Sequence, residues 1–216
     1  MAQESYKTLY KYASFEIEIK KSRFIGHAKP VSCEYEAIKF IDEIKANNRL
    51  ASHNVYAYTI GINNEIQRYN DDKEPSGTAG LPVLNVIKLE GLKNVAIVVT
   101  RYFGGILLGT GGLARAYSKA ARGSIEAAEI VEKVPFQAIN VIFGYTLLGK
   151  LQNYLTREGY FIKNIDYTDK VIMIVYVEKI HLNNFINLIN DLTNKTAEIK
   201  IDKDVYLFKK DNYYIE

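Results

Sequence analysis

The sequence predicts an α+β protein in two domains, residues 1–134 and 135–216. Three observations lead there. VAIVVT (95–100) is a continuous apolar run of strand length, the pattern of a central strand covered on both faces. Pro135 resets the pattern, since proline removes a ladder donor and fixes φ. Beyond it the elements read β-α-β-β-α-β, the ferredoxin-like order.

Each element has its own signal. ASFEIEIKKSRFIGHAKPV (13–31) alternates at Phe15, Ile17 and Ile19, breaks near Lys21-Ser22, restarts at Phe24 and closes at Pro30. Ala37, Ile38, Ile41 and Ile44 recur at helical spacing, with Glu34 and Glu36 in the first turn, where the macrodipole favours them. HNVYAYTIGI (53–62) and EIQRY (65–69) read as a hairpin across Asn63-Asn64. The polar connection NDDKEPSGTAGLP (70–82) leads into a short helix carrying Val83, Leu84, Ile87 and Leu92, with Pro82 near its start. After VAIVVT and a glycine-rich stretch with a buried Ile-Leu-Leu step, a helix runs from Leu113 through Ala116, Tyr117, Ala120, Ala121, Ile125 and Ala128 to about Glu132.

In the second domain FQAINVIF (136–143) reads as a strand, and Leu147, Leu148, Leu151, Tyr154 and Leu155 as a helix face stopped by Gly159. YFIKNIDY (160–167) and VIMIVYV (171–177) are strands joined at Thr168-Asp169-Lys170. Leu182, Phe185, Ile186, Ile189 and Leu192 mark a helix, and AEIKIDKDV (197–205) a last strand. The tail YLFKKDNYYIE (206–216) carries no assignable pattern.

Composition narrows the function classes. With 48% hydrophobic and 25% charged residues, the chain can build a core without disulfide or metal. Cys33 is its one cysteine, which excludes an internal disulfide, disfavours a zinc site and suits a reducing cytoplasm. The first 24 residues have no signal-peptide core, and no apolar run approaches the ~18 residues of a membrane span. The expectation is a cytoplasmic protein without a membrane partner. Net charge is +3, with 18 basic and 15 acidic residues in 1–134 and 10 of each in 135–216. Attraction to phosphate is therefore local to the N-terminal part.

TRYFGGILLGTGGLARAY (100–117) is the densest chemical signal. Glycines between a buried strand and a helix can present N–H groups to an anion. Gly104, Gly105, Gly109, Gly111 and Gly112 are so placed, Thr110 adds a hydroxyl, and Arg101 and Tyr102 stand at the strand end. Neither standard nucleotide loop fits: Thr110-Gly111 follows Gly109 where a P-loop needs Lys-Ser/Thr, and Ala114 replaces the third Rossmann glycine. The same glycines equally serve positive φ and close packing. In DDKEPSGTAG (71–80), Asp71, Asp72 and Glu74 suit either a hard cation or an ion pair with Arg101 or Arg68. Ser76 lacks a nucleophile elbow, because Glu74 occupies the glycine position of G-x-S-x-G. A Ser76/His53/Asp72 triad can be drawn, but His53 at a strand start is more simply a hydrogen-bonded structural residue. Lys20, Lys21 and Arg23 form a small basic cluster at the strand break, and 17 tyrosines lack any organising RNP motif.

KKSRF (20–24), ASHNVYAY (51–58), DDKEPSGTAGLPVL (71–84) and VVTRYFGGILLGTGGLARAY (98–117) resemble successive blocks of the Impact/YigZ family, in order. The resemblance covers roughly residues 15–130, and residues 136–205 resemble the family's bacterial C-terminal domain by element order. It implies an N-terminal α/β sandwich like the second domain of a small-subunit ribosomal protein. It implies a ferredoxin-like C-terminal domain like a late domain of elongation factor G. Eukaryotic Impact proteins regulate translation by competing for the activator of an amino-acid-starvation kinase, a partner not expected in bacteria. One departure stands out: Lys73 replaces the glycine of the family's D-D-G-E-P block. A positive φ there would strain lysine.

The expectation is a non-catalytic binding protein for RNA or a ribosomal surface, linked to regulation of translation, without cofactor or metal. Its candidate ligand or phosphate contacts are Lys21, Arg23, His53, Asp72, Glu74, Ser76, Gly77, Thr78, Arg101, Tyr102, Gly104, Gly105, Gly109, Thr110, Gly111 and Gly112. Two alternatives stand beside it. One is a metal-assisted phosphate-ester hydrolase using Asp71 and Asp72. The other is a protein-interaction module, which would expose an apolar patch.

Overall fold

The computed structural model describes residues 4–210 and 213–215. It divides into two compact units, Tyr6–Glu132, and Lys133 onward together with Glu4 and Ser5. Both mix helices and strands, giving a two-domain α+β protein. Among the described residues no helix is long and apolar enough to cross a membrane.

The first unit begins with a short strand, β1 (Tyr6–Leu9). Strands β2 (Ala13–Ile19), β3 (Ser22–Pro30), β4 (His53–Ile60), β5 (Ile66–Asn70) and β6 (Val95–Tyr102) then form an antiparallel sheet in the order β2-β3-β6-β4-β5. Central β6 explains the continuous apolar run. Val95, Ile97 and Val99 enter the core shared with helices α2 (Gly80–Leu89) and α3 (Thr110–Ala128). Ala96 and Val98 enter the core shared with α1 (Glu34–Asn47) on the opposite face. Each larger side chain so buried stabilises the fold by roughly 1.5–3 kcal/mol.

Several details differ from the sequence expectation: Leu92 lies beyond α2, which ends at Leu89, and α3 begins at Thr110 rather than Leu113. The buried stripe of α1 is Ala37, Phe40, Ile41 and Ile44, a clean i, i+3, i+4, i+7 set, and Ile38 lies off it, 47% exposed. Helix α3 stops at Ala128, because Glu129 adopts φ 62°, and residues 130–132 already belong to the next strand. The β2–β3 connection is a two-residue turn, with Ile19 paired to Ser22 and both Lys20 and Lys21 at positive φ (47° and 61°). That geometry normally selects Asn-Gly.

The second unit holds most of β7 (Ile130–Phe143), then α4 (Leu148–Arg157), β8 (Phe161–Tyr167), β9 (Val171–Glu178), α5 (Leu182–Leu192), β10 (Glu198–Lys210) and β11 (Tyr213–Ile215). The sheet order is β11-β10-β7-β9-β8. Ile139, Val141, Phe143, Met173 and Val175 pack on Leu151 and Leu155 of α4 and on Phe185 and Ile189 of α5. Pro135 lies inside β7 rather than ahead of it. It precedes the first β7–β9 pair, Phe136 with Glu178, so its missing N–H removes nothing from that ladder. The described part of the unassigned tail, 206–210 and 213–215, is strand: Phe208, Lys209 and Lys210 pair with Ile215, Tyr214 and Tyr213, and residues 211, 212 and 216 lie outside the described residues.

Gly26 of β3 faces the α3 backbone so closely that an added Cβ would sit 2.3 Å from the Ala120 carbonyl oxygen. Gly26→Ala should therefore destabilise by about 1–3 kcal/mol. Gly149→Ala in α4, where a Cβ meets nothing within 4 Å, should be neutral or stabilising by up to about 1 kcal/mol. Denaturant midpoints of the two variants test the contrast.

Candidate functional site

The connection between β5 and α2 is built around Asp71. Its Oδ2 accepts the Gly77 N–H at 2.9 Å, and its Oδ1 accepts those of Ala79 at 3.1 Å and Gly80 at 2.8 Å. One carboxylate thus caps the start of α2, where free N–H groups and the helix dipole favour an anion. Asp72 Oδ2 accepts the Asn54 N–H at 2.6 Å, and its own N–H donates to Asn70 Oδ1 at 2.7 Å. The Thr78 hydroxyl donates to the Pro75 carbonyl at 2.6 Å. Asp72 and Lys73 both have positive φ, 42° and 70°, and Gly77 has φ 74°. Lys73 thus occupies the left-handed conformation for which the family's glycine is suited, at a cost on the order of 1 kcal/mol.

Three side chains converge on Glu74. Arg101, at the end of β6, donates from Nη1 to Glu74 Oε1 at 2.5 Å. The two residues are 4% and 8% exposed, so this is an interior ion pair. Tyr117 of α3 donates its hydroxyl to the same oxygen at 2.7 Å. Burial first, then the Glu74 carboxylate, push its pKa far above the usual phenol value. His53 Nδ1 lies 2.7 Å from the Asp72 carbonyl, which only accepts, so Nδ1 carries the proton. Its Nε2 then faces Glu74 Oε1 at 3.8 Å. The Arg101 guanidinium lies 5.4 Å from the Phe24 ring and 5.3 Å from the Phe103 ring. Arg101, singled out as the phosphate contact, is thus a core residue. Of the three carboxylates offered as its partner, Glu74 pairs with it, while the Asp72 carboxylate is held by Asn54.

The glycine stretch follows directly. Tyr102 donates its hydroxyl to Asn48 Oδ1 at 2.8 Å, and its ring lies 4.7 Å from the Arg23 guanidinium carbon. The Gly104 N–H donates to Ser22 Oγ at 3.1 Å. A Cβ on Gly104 would fall 1.9 Å from the Lys21 carbonyl oxygen, so glycine there lets the loop close on the two-lysine turn. Gly105 and Gly109 have φ 84° and 72°, and Gly109 precedes α3, whose first residues are Thr110, Gly111 and Gly112. The Ile-Leu-Leu step is not a buried one: Ile106 is 40% exposed and Leu107 82%.

Nine of the sixteen candidate residues fall into two neighbouring groups, while Asp72, Gly77 and Thr78 belong to the Asp71 connection and Gly105, Gly111 and Gly112 join neither group. Lys21, Arg23, Tyr102 and Gly104 meet at the β2–β3 turn. His53, Glu74, Arg101, Gly109 and Thr110 line a cavity of about 410 Å³, walled by Leu107 and Leu113. Ser76 is exposed and joins neither. Tyr117 is the site residue the pattern concealed, because a tyrosine at helical spacing reads as packing. Among the described residues no group of three or more His, Cys, Asp or Glu is placed to hold a metal.

The fold and the site define a two-domain α+β protein whose first domain clamps a glycine loop and an acidic turn onto a central strand through one buried ion pair. Residues 20–125 match the family model described as the Impact N-terminal domain, and residues 141–194 match a domain of unknown function (DUF1949). The chain is 44% identical to IMPACT family member YvyE of Bacillus subtilis over 98% of both chains. It is 30% identical to IMPACT family member YigZ of Escherichia coli K12, over 84% of this chain and 90% of that one. A solved structure described only as a hypothetical protein superposes with a TM-score of 0.61 at 28% identity, covering 93% of this chain and 98% of that one. The chain belongs to the IMPACT family.

Arg101→Ala should cost about 3–5 kcal/mol, because it strands the buried Glu74 charge. The double variant Arg101→Met with Glu74→Leu should lose less than Arg101→Ala alone, as urea melts would show. Lys73→Gly should gain about 1 kcal/mol by relieving the left-handed lysine. An unchanged melting midpoint would contradict that assignment of strain.

Proposed function

We propose that the protein is a non-catalytic binder of RNA or of a ribosomal surface, acting in regulation of translation. One observation supports this best. The two-lysine turn and the glycine loop pack on each other, so the exposed Arg23 guanidinium, 3.5 Å from Glu16, lies 4.7 Å from the Tyr102 ring, with exposed Lys20 and Lys21 on the same turn. Cations interleaved with aromatic faces suit a nucleic-acid strand, phosphates on the cations and bases on the rings. The strand order β10-β7-β9-β8 fits the ferredoxin-like reading of the second domain. The three-layer first domain fits the ribosomal-protein-like one. The exposed thiol of Cys33 fits a reducing, cytoplasmic setting.

The hydrolase reading loses support from the same geometry. Asp71 and Asp72 accept backbone N–H groups and Glu74 is held by Arg101 and Tyr117, so the carboxylates it would need are already engaged. A second reading, docking of a protein partner, is favoured by exposed Leu107, which lines the 410 Å³ cavity, and by exposed Ile106 beside it in the chain.

The test is anisotropy binding to labelled RNA and sedimentation with ribosomes across a salt series. Saturable binding that weakens with salt is expected, about tenfold weaker in Lys21→Ala/Arg23→Ala and unchanged in Lys170→Ala on the β8–β9 turn. Absence of saturable binding at low salt overturns the reading. Loss of ribosome association in Leu107→Asp with RNA binding intact would favour the protein-partner reading.

A further inference from the structure

We infer that the exposed face of α3 is a second, sequence-independent track for the backbone of a single RNA strand. The inference rests on the RNA reading above but uses a different element. Arg115, Lys119 and Arg122 are exposed at i, i+4 and i+7 of one helix face. Helical rise spreads them over about 10 Å, the axial length of about three phosphates. Ala114 and Ser118 lie between them, and these five residues alone line a shallow depression of about 350 Å³. Small side chains between cations let a backbone approach closely.

Nothing acidic offsets the charge on this helix until Glu126. On neighbouring β2 the carboxylates of Glu16 and Glu18 alternate with Ile17 and Ile19, which pack into the core shared with α3, so the acids take the far face of that strand. Among the described residues none of the three cations is drawn into an ion pair. The stripe also leads back to exposed Gly111 and the positive end of the helix. An Arg115 terminal nitrogen lies 3.6 Å from where a Gly111 Cβ would sit.

The occupant follows from chemistry. The depression offers no large apolar side chain to insert into a bilayer, which disfavours a lipid surface. The deep, narrow major groove of A-form RNA does not admit a helix, so the contact is to a backbone met from outside. Three unpaired cations at near-phosphate spacing read charge and no bases, hence no sequence preference.

The experiment uses the full chain with Arg115→Gln/Lys119→Gln/Arg122→Gln, and the charge-keeping Arg115→Lys/Arg122→Lys as a second variant. Fluorescein-labelled U, A and C tracts are titrated from 50 to 300 mM NaCl. The triple variant should bind about tenfold or more weakly at 50 mM, by the same factor on every tract, and its log K against log salt slope should shrink by about 2. The lysine variant should keep the wild-type slope. A triple variant with unchanged affinity and slope overturns the α3 track and leaves the RNA reading standing. Tract-dependent losses, or a slope lost equally in the lysine variant, also overturn it. Wild-type protein that binds no tract overturns both.

Discussion

The buried carboxylate of Glu74 ties the first domain together. One of its oxygens receives Arg101 from the central strand and Tyr117 from α3, with His53 from β4 close behind. Glu74 itself belongs to the 71–80 connection, which Asp71 fastens to the start of α2. Four segments distant in sequence thus share one charge. An interior ion pair is weak evidence for stability, because desolvation offsets most of its attraction. Its effect here is positional: Arg101 must lie where Glu74 can reach it, and this fixes the end of β6 from which the glycine loop departs.

Strained backbone gathers around the same place. In the first unit consecutive positive-φ pairs occur at Lys20-Lys21 and Asp72-Lys73, each without a glycine, while a third, Asn194-Lys195, lies in the second unit. Both first-unit turns are held from outside, the first by the close approach of Gly104 and the second by bonds from Asp72 to Asn54 and Asn70. Such conformations persist only where surroundings over-determine them, and they concentrate at functional surfaces. Both turns carry exposed lysines, so the strain and the cationic charge coincide.

The fold was legible wherever burial leaves a periodic trace. VAIVVT announced a strand covered on both faces because each of its alternating sets fills a separate core. The stripe of α1 was legible except at Ile38, whose apolarity says nothing about which side of the stripe it occupies. Helix α3 was legible in its buried face but not in its ends, since Thr110-Gly111-Gly112 open it without a propensity signal and Glu129 takes its positive φ without a glycine to mark the stop. The site was less legible. Sequence shows that Arg101 is charged, not that Glu74 rather than Asp72 answers it, because that choice depends on Asn54 holding Asp72 across the sheet. Leu107 looked buried because hydropathy records composition and not the loop geometry that turns it outward.

Charge shows the same gap between composition and arrangement. A net +3 looks too small to attract a polyanion. The burial of Arg101 with Glu74 removes one charge of each sign from the surface without changing that sum. The remaining cations are not evenly spread: Lys20, Lys21 and Arg23 sit on one turn, and Arg115, Lys119 and Arg122 on one helix face. A phosphate chain responds to fields within about a Debye length, roughly 8–10 Å at moderate salt, and not to the total. A stripe of three cations about 10 Å long is matched to that range. The α3 stripe therefore acts on a nearby strand as a strongly basic surface on a nearly neutral protein, and the buried ion pair keeps Arg101 from adding to it.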